Sequence, residues 1–181
     1  MVRKLKYHEK KLLKKVDFLD WDVDKNNLQE VKIMKKYSVT RNEYTAYNKL
    51  SRDVRTLAAK IQANEKKGFG VLAQRQLCQK LYDIGLISIQ KLGHCHEISA
   101  SSFCRRRIAV MVMKLKMADN LADAIKYIEH GHVRVGPECV KDPAMLVTRS
   151  MEDFITWADT SAIKRKVQEY NEVRDDYDLV E

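Results

Sequence analysis

Cations recur through residues 103–143, FCRRRIAVMVMKLKMADNLADAIKYIEHGHVRVGPECVKDP, at Arg105, Arg106, Arg107, Lys114, Lys116, Lys126, Arg134 and Lys141. A guanidinium donates in a planar fork that matches phosphate oxygens, and a lysine adds a compact point charge, so this spacing suits a polyanion gripped along its backbone. Asn120, His130, Gly131 and His132 stand among the cations at an expected helix start and an expected tight turn. The chemistry these twelve residues suggest is RNA binding, with no covalent step. The three arginines are expected in the first turn of a helix running from Ser101 or Ser102 to Leu115. The positive end of the helix dipole disfavours cations there, and phosphate would offset that penalty. A solvated basic turn without a ligand is the other reading.

Other constellations are weaker. His94, Cys95, His96 and Cys104 include metal-ligating types, but neighbouring side chains diverge and do not converge tetrahedrally, so no metal is expected. His130 and His132 lack an evident third ligand. No Gly-rich phosphate loop and no set of nucleophile, base and orienting group is present, so the sequence reads as non-enzymatic, without cofactor or small-molecule substrate.

The elements that must position these residues follow from local signals. Thr40 and Glu43 form a capping box opening a helix whose apolar stripe is Tyr44, Tyr47, Leu50, Val54, Leu57, Ala58 and Ile61. Gly68-Phe69-Gly70 is expected to turn the chain into a second helix, 71–84, burying Leu72, Leu77, Leu81 and Ile84 and stopping at Gly85. Residues 86–100 read as a connector. Asn120, with Asp123 at the third position, caps a helix with the stripe Leu121, Ala124, Ile125 and Ile128, and Gly131 is its left-handed stop. Residues 132–135 alternate as a strand, Gly136-Pro137 turns, and residues 139–141 begin the return. Residues 145–147 and 154–157 read as two further strands joined by TRSMED. Ser161 caps a last helix with Ile163, Val167 and Tyr170 inward. Residues 1–40, which include the acidic aromatic run FLDWDVD around Trp21, read either as an arm ordered by a partner or as a short helix over 4–15 packing Leu5, Leu12 and Val16.

The fold class is therefore α+β: an N-terminal arm (1–40), a helical hairpin and connector (41–100), a helix-helix-turn-strand module with a short curled sheet (101–160), and a C-terminal helix with an acidic tail (161–181). In a chain of 181 residues, 45% hydrophobic content supports a core, while 33% charged residues and a mean hydropathy of −0.47 exclude a membrane-spanning class. The basic N-terminus lacks the apolar run of a secretory signal, and four cysteines without paired spacing are expected as reduced thiols of an intracellular protein. A net charge of +9 points to an anionic partner, and the acidic tail after Glu169 points to a second partner or a solvated end.

The run RRIAVMVMKLKMADNLADAIKYIEHGHVRVG followed by KDPA resembles the RNA-binding domain named for ribosomal small-subunit protein S-four. With ASSFCRRR, IEHGHVRVGPECVKDPA, TRSMEDFITW, AIKRKVQEYNEVRDDYDL and MVRKLKYHEKKLLKKVDFLDW added, nearly the whole chain is similar to the Imp family of the U3 small nucleolar ribonucleoprotein. That resemblance implies a nucleolar assembly factor that helps U3 small nucleolar RNA pair with precursor rRNA before the early small-subunit cleavages. It implies as partners a large acidic scaffold phosphoprotein of the U3 particle and a sister Imp-family factor. By position, Arg106 and Arg107 match the module's opening basic pair and Asn120 its capping serine, while Lys126, His130, Gly131, His132 and Arg134 fall on its helix end, turn and strand. Ala109 stands where many members have Asp, Leu121 and Ile125 where many have Arg, and Gly136-Pro137 replaces Asn-Gly. A shifted RNA face, or a protein-covered patch at an exposed Leu121 and Ile125, is expected. The alternative class is a structural rRNA-binding protein of the small ribosomal subunit, against which the acidic C-terminus stands. An RNA-modifying enzyme is a third class, for which too little chain remains outside the module.

Overall fold

The computed structural model describes residues 4–13, 28–64 and 68–173. Two compact units meet in sequence inside the arginine run, one ending at Arg105 and the next beginning at Arg106.

The first unit is helical: α1 (Tyr7–Leu13), α2 (Leu28–Tyr37), α3 (Arg41–Ala63), α4 (Gly68–Ile84), α5 (Leu92–Cys95) and α6 (Ala100–Cys104). The capping box forms as the sequence indicates: the Thr40 hydroxyl accepts from Glu43 N at 3.4 Å and the Glu43 carboxylate accepts from Thr40 N at 2.8 Å. Helix α3 packs against α4, α5 and α6 through Tyr47, Ser51, Ala58 and Ile61, and Tyr47 stacks on Phe103 with ring centroids 5.8 Å apart. Leu50 and Leu57 lie to one side of that stripe and stay exposed, as does Leu72 on α4. Gly68 and Gly70 are not a left-handed turn. They are the first turn of α4, where glycine needs no positive φ, and Gly70 is buried. The connector belongs to the core, since Ile87, Cys95 and Ile98 are buried. Helix α2 occupies part of the stretch read as an arm, while Trp21, its acidic neighbours and Val16 lie outside the described residues. Leu5 and Leu12 are exposed.

The second unit carries α7 (Ile108–Lys114), α8 (Leu121–Glu129), β1 (Val133–Val135), β2 (Glu138–Cys139), α9 (Arg149–Glu152), β3 (Ile155–Trp157) and α10 (Ala162–Tyr170). Its antiparallel sheet has the order β2-β1-β3, with Val135 opposite Glu138 across the Gly136-Pro137 turn and Val133 opposite Trp157. Ile108, Ala109, Met111 and Val112 of α7 meet Ala124 and Ile128 of α8 and Val133, Val147 and Ile155 in one apolar cluster. Leu121 and Ile125 pack against that cluster, so they are not the exposed docking patch expected of them.

Three further expectations change. The helix expected from 101 to 115 is two helices, because residues 105–107 leave the helical path. Residues 145–147 make only a single bridge, Leu146 opposite Arg107, and TRSMED contains α9. Of the three residues expected inward on α10, Ile163 alone is half-buried; Val167 and Tyr170 face solvent. The acidic residues beyond 173 lie outside the described residues.

Three cysteines, Cys78, Cys95 and Cys104, are buried, and Cys139 is exposed. Burial, reinforced by the neighbouring Cys78, pushes the Cys95 thiol up to about 11, so at neutral pH it stays protonated and unreactive. Timed alkylation with iodoacetamide at pH 8 is expected to modify Cys139 first, with Cys95 labelled only after denaturation; fast labelling of Cys95 in the native protein would contradict this packing.

Candidate nucleic-acid interface

The arginine run divides three ways. Arg105 is exposed, and its Nη2 reaches the Ser101 hydroxyl at 3.4 Å. Arg106 is only 8% exposed: its Nε and Nη2 donate to the Val147 carbonyl at 3.0 and 2.6 Å, and its Nη1 donates to the Glu152 carboxylate. Arg107, at 3% exposure, is the extended N-cap residue of α7. The backbone closes the same seam, with Val147 N donating to Arg106 O at 2.8 Å and Ile108 N to Met145 O at 2.9 Å. A guanidinium spent on a carbonyl and a carboxylate inside the fold is not offered to phosphate. The expectation of three solvent-facing arginines on one helical turn is corrected here, and the reason is long-range pairing with residues 145–152, which no local pattern announces.

Of the remaining candidates, Lys126, His130, Gly131, His132 and Lys141 gather at the C-terminal end of α8. His130 caps the helix, Gly131 takes φ 76, and His132 N donates to Tyr127 O while Gly131 N donates to Ile128 O, both at 2.9 Å. This is a Schellman closure, which needs a left-handed residue after the cap and finds it in glycine. A Cβ on Gly131 would meet Cys139 Sγ at 3.4 Å and Lys141 Cε at 3.6 Å, so Lys141 of the return segment lies over the corner. His130 and His132 have ring centroids 6.2 Å apart. Tyr127 stands edge-on to His132 at 6.4 Å and to Trp157 at 5.8 Å. His132 Nδ1 is 3.0 Å from the Ser161 hydroxyl, which also accepts from Ile163 N to cap α10. Tyr127, His132 and Trp157 are half-buried, while His130, Lys126 and Lys141 beside them are exposed, and Lys126 makes a long contact of 3.4 Å with Asp123.

Arg134 lies on the sheet face opposite buried Val133. Its Nε donates to the Thr156 hydroxyl at 3.0 Å and its Nη1 to Asp159, which also accepts from Lys164 Nζ at 2.6 Å. The Lys164 hydrogen bond, against some desolvation and with the charges of Arg134 and Lys164 added, holds the Asp159 carboxyl below its ordinary range. Asp159 therefore stays ionised at neutral pH, and its contacts to Arg134 and Lys164 weaken only as pH falls through that lowered value. Tyr127, Trp157, Asp159, Ser161 and Lys164 were not among the sequence candidates; they come from 22 or more residues of separation or from the buried side of a helix, and only the alternation of the strand hinted at Trp157.

Lys114 and Lys116 are exposed at the end of α7, and among the described residues no hydrogen bond, ion pair or ring contact joins them to the Gly131 corner. Asn120 occupies the N-cap position of α8 without a side-chain capping bond. Lys116 has φ 59, with Met117 N donating to Val112 O and Lys116 N to Met113 O, both at 3.1 Å. It fills the left-handed place of a second Schellman closure, where a lysine is strained. His94 meets the Glu97 carboxylate at 3.3 Å while Cys95 is buried, so the His-Cys-His run points its members apart.

Residues 4–105 match the family model described as the ribosomal protein S4/S9 N-terminal domain, and residues 106–153 match the S4 domain. The chain is 55% identical to the Mus musculus protein named U3 small nucleolar ribonucleoprotein protein IMP3, covering 99% of both chains. It is 43% identical to the Saccharomyces cerevisiae protein of the same name, over 99% of this chain and 100% of that one. Likeness to the small ribosomal subunit protein uS4 of Ignicoccus hospitalis is 24% identity over 78% of this chain and 86% of that protein.

Two outcomes check the division of roles. Arg106→Met leaves the Val147 carbonyl and Glu152 without their donor and is expected to lower stability by about 2–3 kcal/mol, whereas Arg105→Gln leaves the urea midpoint unchanged. Lys116→Gly relieves the left-handed strain, and after the added unfolded-chain entropy of glycine the gain is about 0.5–1 kcal/mol. A lower midpoint for Lys116→Gly would contradict the strained assignment.

Proposed function

Since the chain belongs to the IMP3 family of U3 small nucleolar ribonucleoprotein proteins, we propose that it is a non-catalytic RNA-binding assembly factor of that particle in small-subunit ribosome biogenesis. The observation that carries the reading is likeness along the entire chain, including the segments on both sides of the S4 domain. The alternative, a resident protein of the mature small subunit, rests on the weaker likeness to uS4.

The RNAs it binds on this reading are U3 small nucleolar RNA and precursor rRNA. Cations held on a rigid helix-turn-strand corner neutralise phosphates and release condensed counterions, which lowers the repulsion between two RNA strands brought together. We assign the contacts to Lys126, His130, His132 and Lys141 around Gly131, with Lys114 and Lys116 as a second cluster, and Asn120 beside α8 as a hydrogen-bonding group. Arg134 contributes from its Asp159 triad, and Arg105 from the first unit. The work belongs in the nucleolus, before the early cleavages that release 18S rRNA. On the same reading the protein partners are a large acidic scaffold phosphoprotein and a sister Imp-family factor.

Replacing Lys114, Lys116, Lys126 and Lys141 together by Gln is expected to weaken binding to a U3 RNA fragment and to make the dependence of log affinity on log salt shallower by about 3, because each lysine neutralises close to one phosphate. An unchanged affinity and salt slope, in a variant with unaltered circular dichroism, would overturn the assignment of these lysines.

A further inference from the structure

In the first unit a cleft of about 280 Å³ opens between the loop after α4, α5 and α6. Its rim carries Ser88, His94, Glu97, Ser99, Ser102 and Arg105. Leu86, Ile87 and Ile98 border it as well, and both isoleucines are buried, so the groups offered to a ligand are chiefly hydroxyls, an imidazole, a carboxylate and a guanidinium. That volume lies just below the usual range of ligand clefts, roughly 300–1,000 Å³, and the polar wall does not suit an apolar ligand. A duplex cannot enter it; one extruded nucleotide can.

The polar groups are poised and not fully spent. Arg105 has five N–H donors and uses one in a long contact, 3.4 Å, with Ser101. Of the three neighbouring arginines it alone is exposed, since Arg106 and Arg107 are built into the second unit. Glu97 accepts from His94 at 3.3 Å, and a carboxylate has further lone-pair positions. Ser99 Oγ lies 2.9 Å from Ser101 Oγ, and Ser102 Oγ accepts from Ser99 N at 3.4 Å, which fixes the hydroxyls on one side of the cleft.

We infer that this cleft receives a single unpaired guanosine nucleotide of the bound RNA, with Arg105 on its phosphate and the Glu97 carboxylate on the paired N1–H and N2–H donors of its base. The inference rests on the RNA-binding reading above and names a second contact site for it. Guanine follows from the chemistry of Glu97, an acceptor only. Adenine and cytosine set a ring acceptor beside their exocyclic donor, and uracil sets its one N–H between two carbonyls, so each of these turns lone pairs toward the carboxylate.

Titration of the full chain with the four 5′-mononucleotides, followed by NMR of the His94, Glu97 and Arg105 signals, tests this. The expected result is saturable binding of GMP in the millimolar range, about threefold to tenfold tighter than AMP, CMP or UMP, the scale of a hydrogen bond that exposed Glu97 makes at the rim in competition with water. Glu97→Gln should erase that preference, and Arg105→Gln should weaken all four alike. Equal binding of the four nucleotides, equal displacement by inorganic phosphate, or tighter binding of a phosphoserine peptide than of GMP would each overturn the inference. If GMP leaves these signals unmoved while the chain still binds a U3 RNA fragment, the cleft assignment fails and the RNA-binding reading stands. If neither binds, both fall.

Discussion

The Arg106 guanidinium, held between the Val147 carbonyl and the Glu152 carboxylate, is the interaction on which the second unit depends. A buried cation must find both hydrogen-bond partners and an opposite charge, or the desolvation it suffers exceeds anything packing can return. Meeting that requirement draws residues 145–152 against residues 106–108, and the paired backbone then takes the chain out of the helical path between α6 and α7. With that seam closed, α7 lies with Ile108, Met111 and Val112 on α8 and the sheet, and the end of α8 is presented as a rigid corner.

The corner's shape comes from backbone chemistry, and the affinity proposed for it would come from side chains. Gly131 allows the α8 closure at φ 76, Gly136 the hairpin at φ 60, and the two turns set Lys126, His130 and Lys141 around one ring cluster without a flexible loop between them. Tyr127, His132 and Trp157 support one another and Ser161 ties His132 to α10, so on the proposed reading little ordering is left for RNA binding to impose. Lys116 fits the same reading: a lysine in a left-handed position that suits glycine is local strain, and the proposed RNA contact gives that strain a use.

What could be read in the sequence was whatever is decided locally. The Thr40 and Glu43 box, the glycine stops at Gly85 and Gly131, the α8 stripe and the Gly136-Pro137 hairpin each depend on residues a few positions apart, and each is present. What could not be read was decided by partners far along the chain. The arginine run has the composition of an RNA grip, yet two of its members are claimed by residues about 40 positions later. Leu50, Leu57 and Leu72 fit helical stripes but fall just outside the faces that α3 and α4 bury against one another and against α5 and α6. Leu121 and Ile125 looked exposed because charged residues were expected in their places, and the unit's small sheet gives them a core to rest on. The family resemblance extended further than the local physics, since it placed the whole chain, but it did not show that Arg106 and Arg107 are buried.

The central claim is that RNA is held at the α8 corner and the end of α7, with Arg106 and Arg107 structural. Photo-crosslinking of the chain to U3 RNA in cells, with mass-spectrometric identification of the crosslinked residues, addresses it directly. The account predicts crosslinks within residues 114–141, centred on His130 to Lys141, and none at Arg106 or Arg107. Crosslinks at Arg106 and Arg107 with none between 114 and 141 would contradict it.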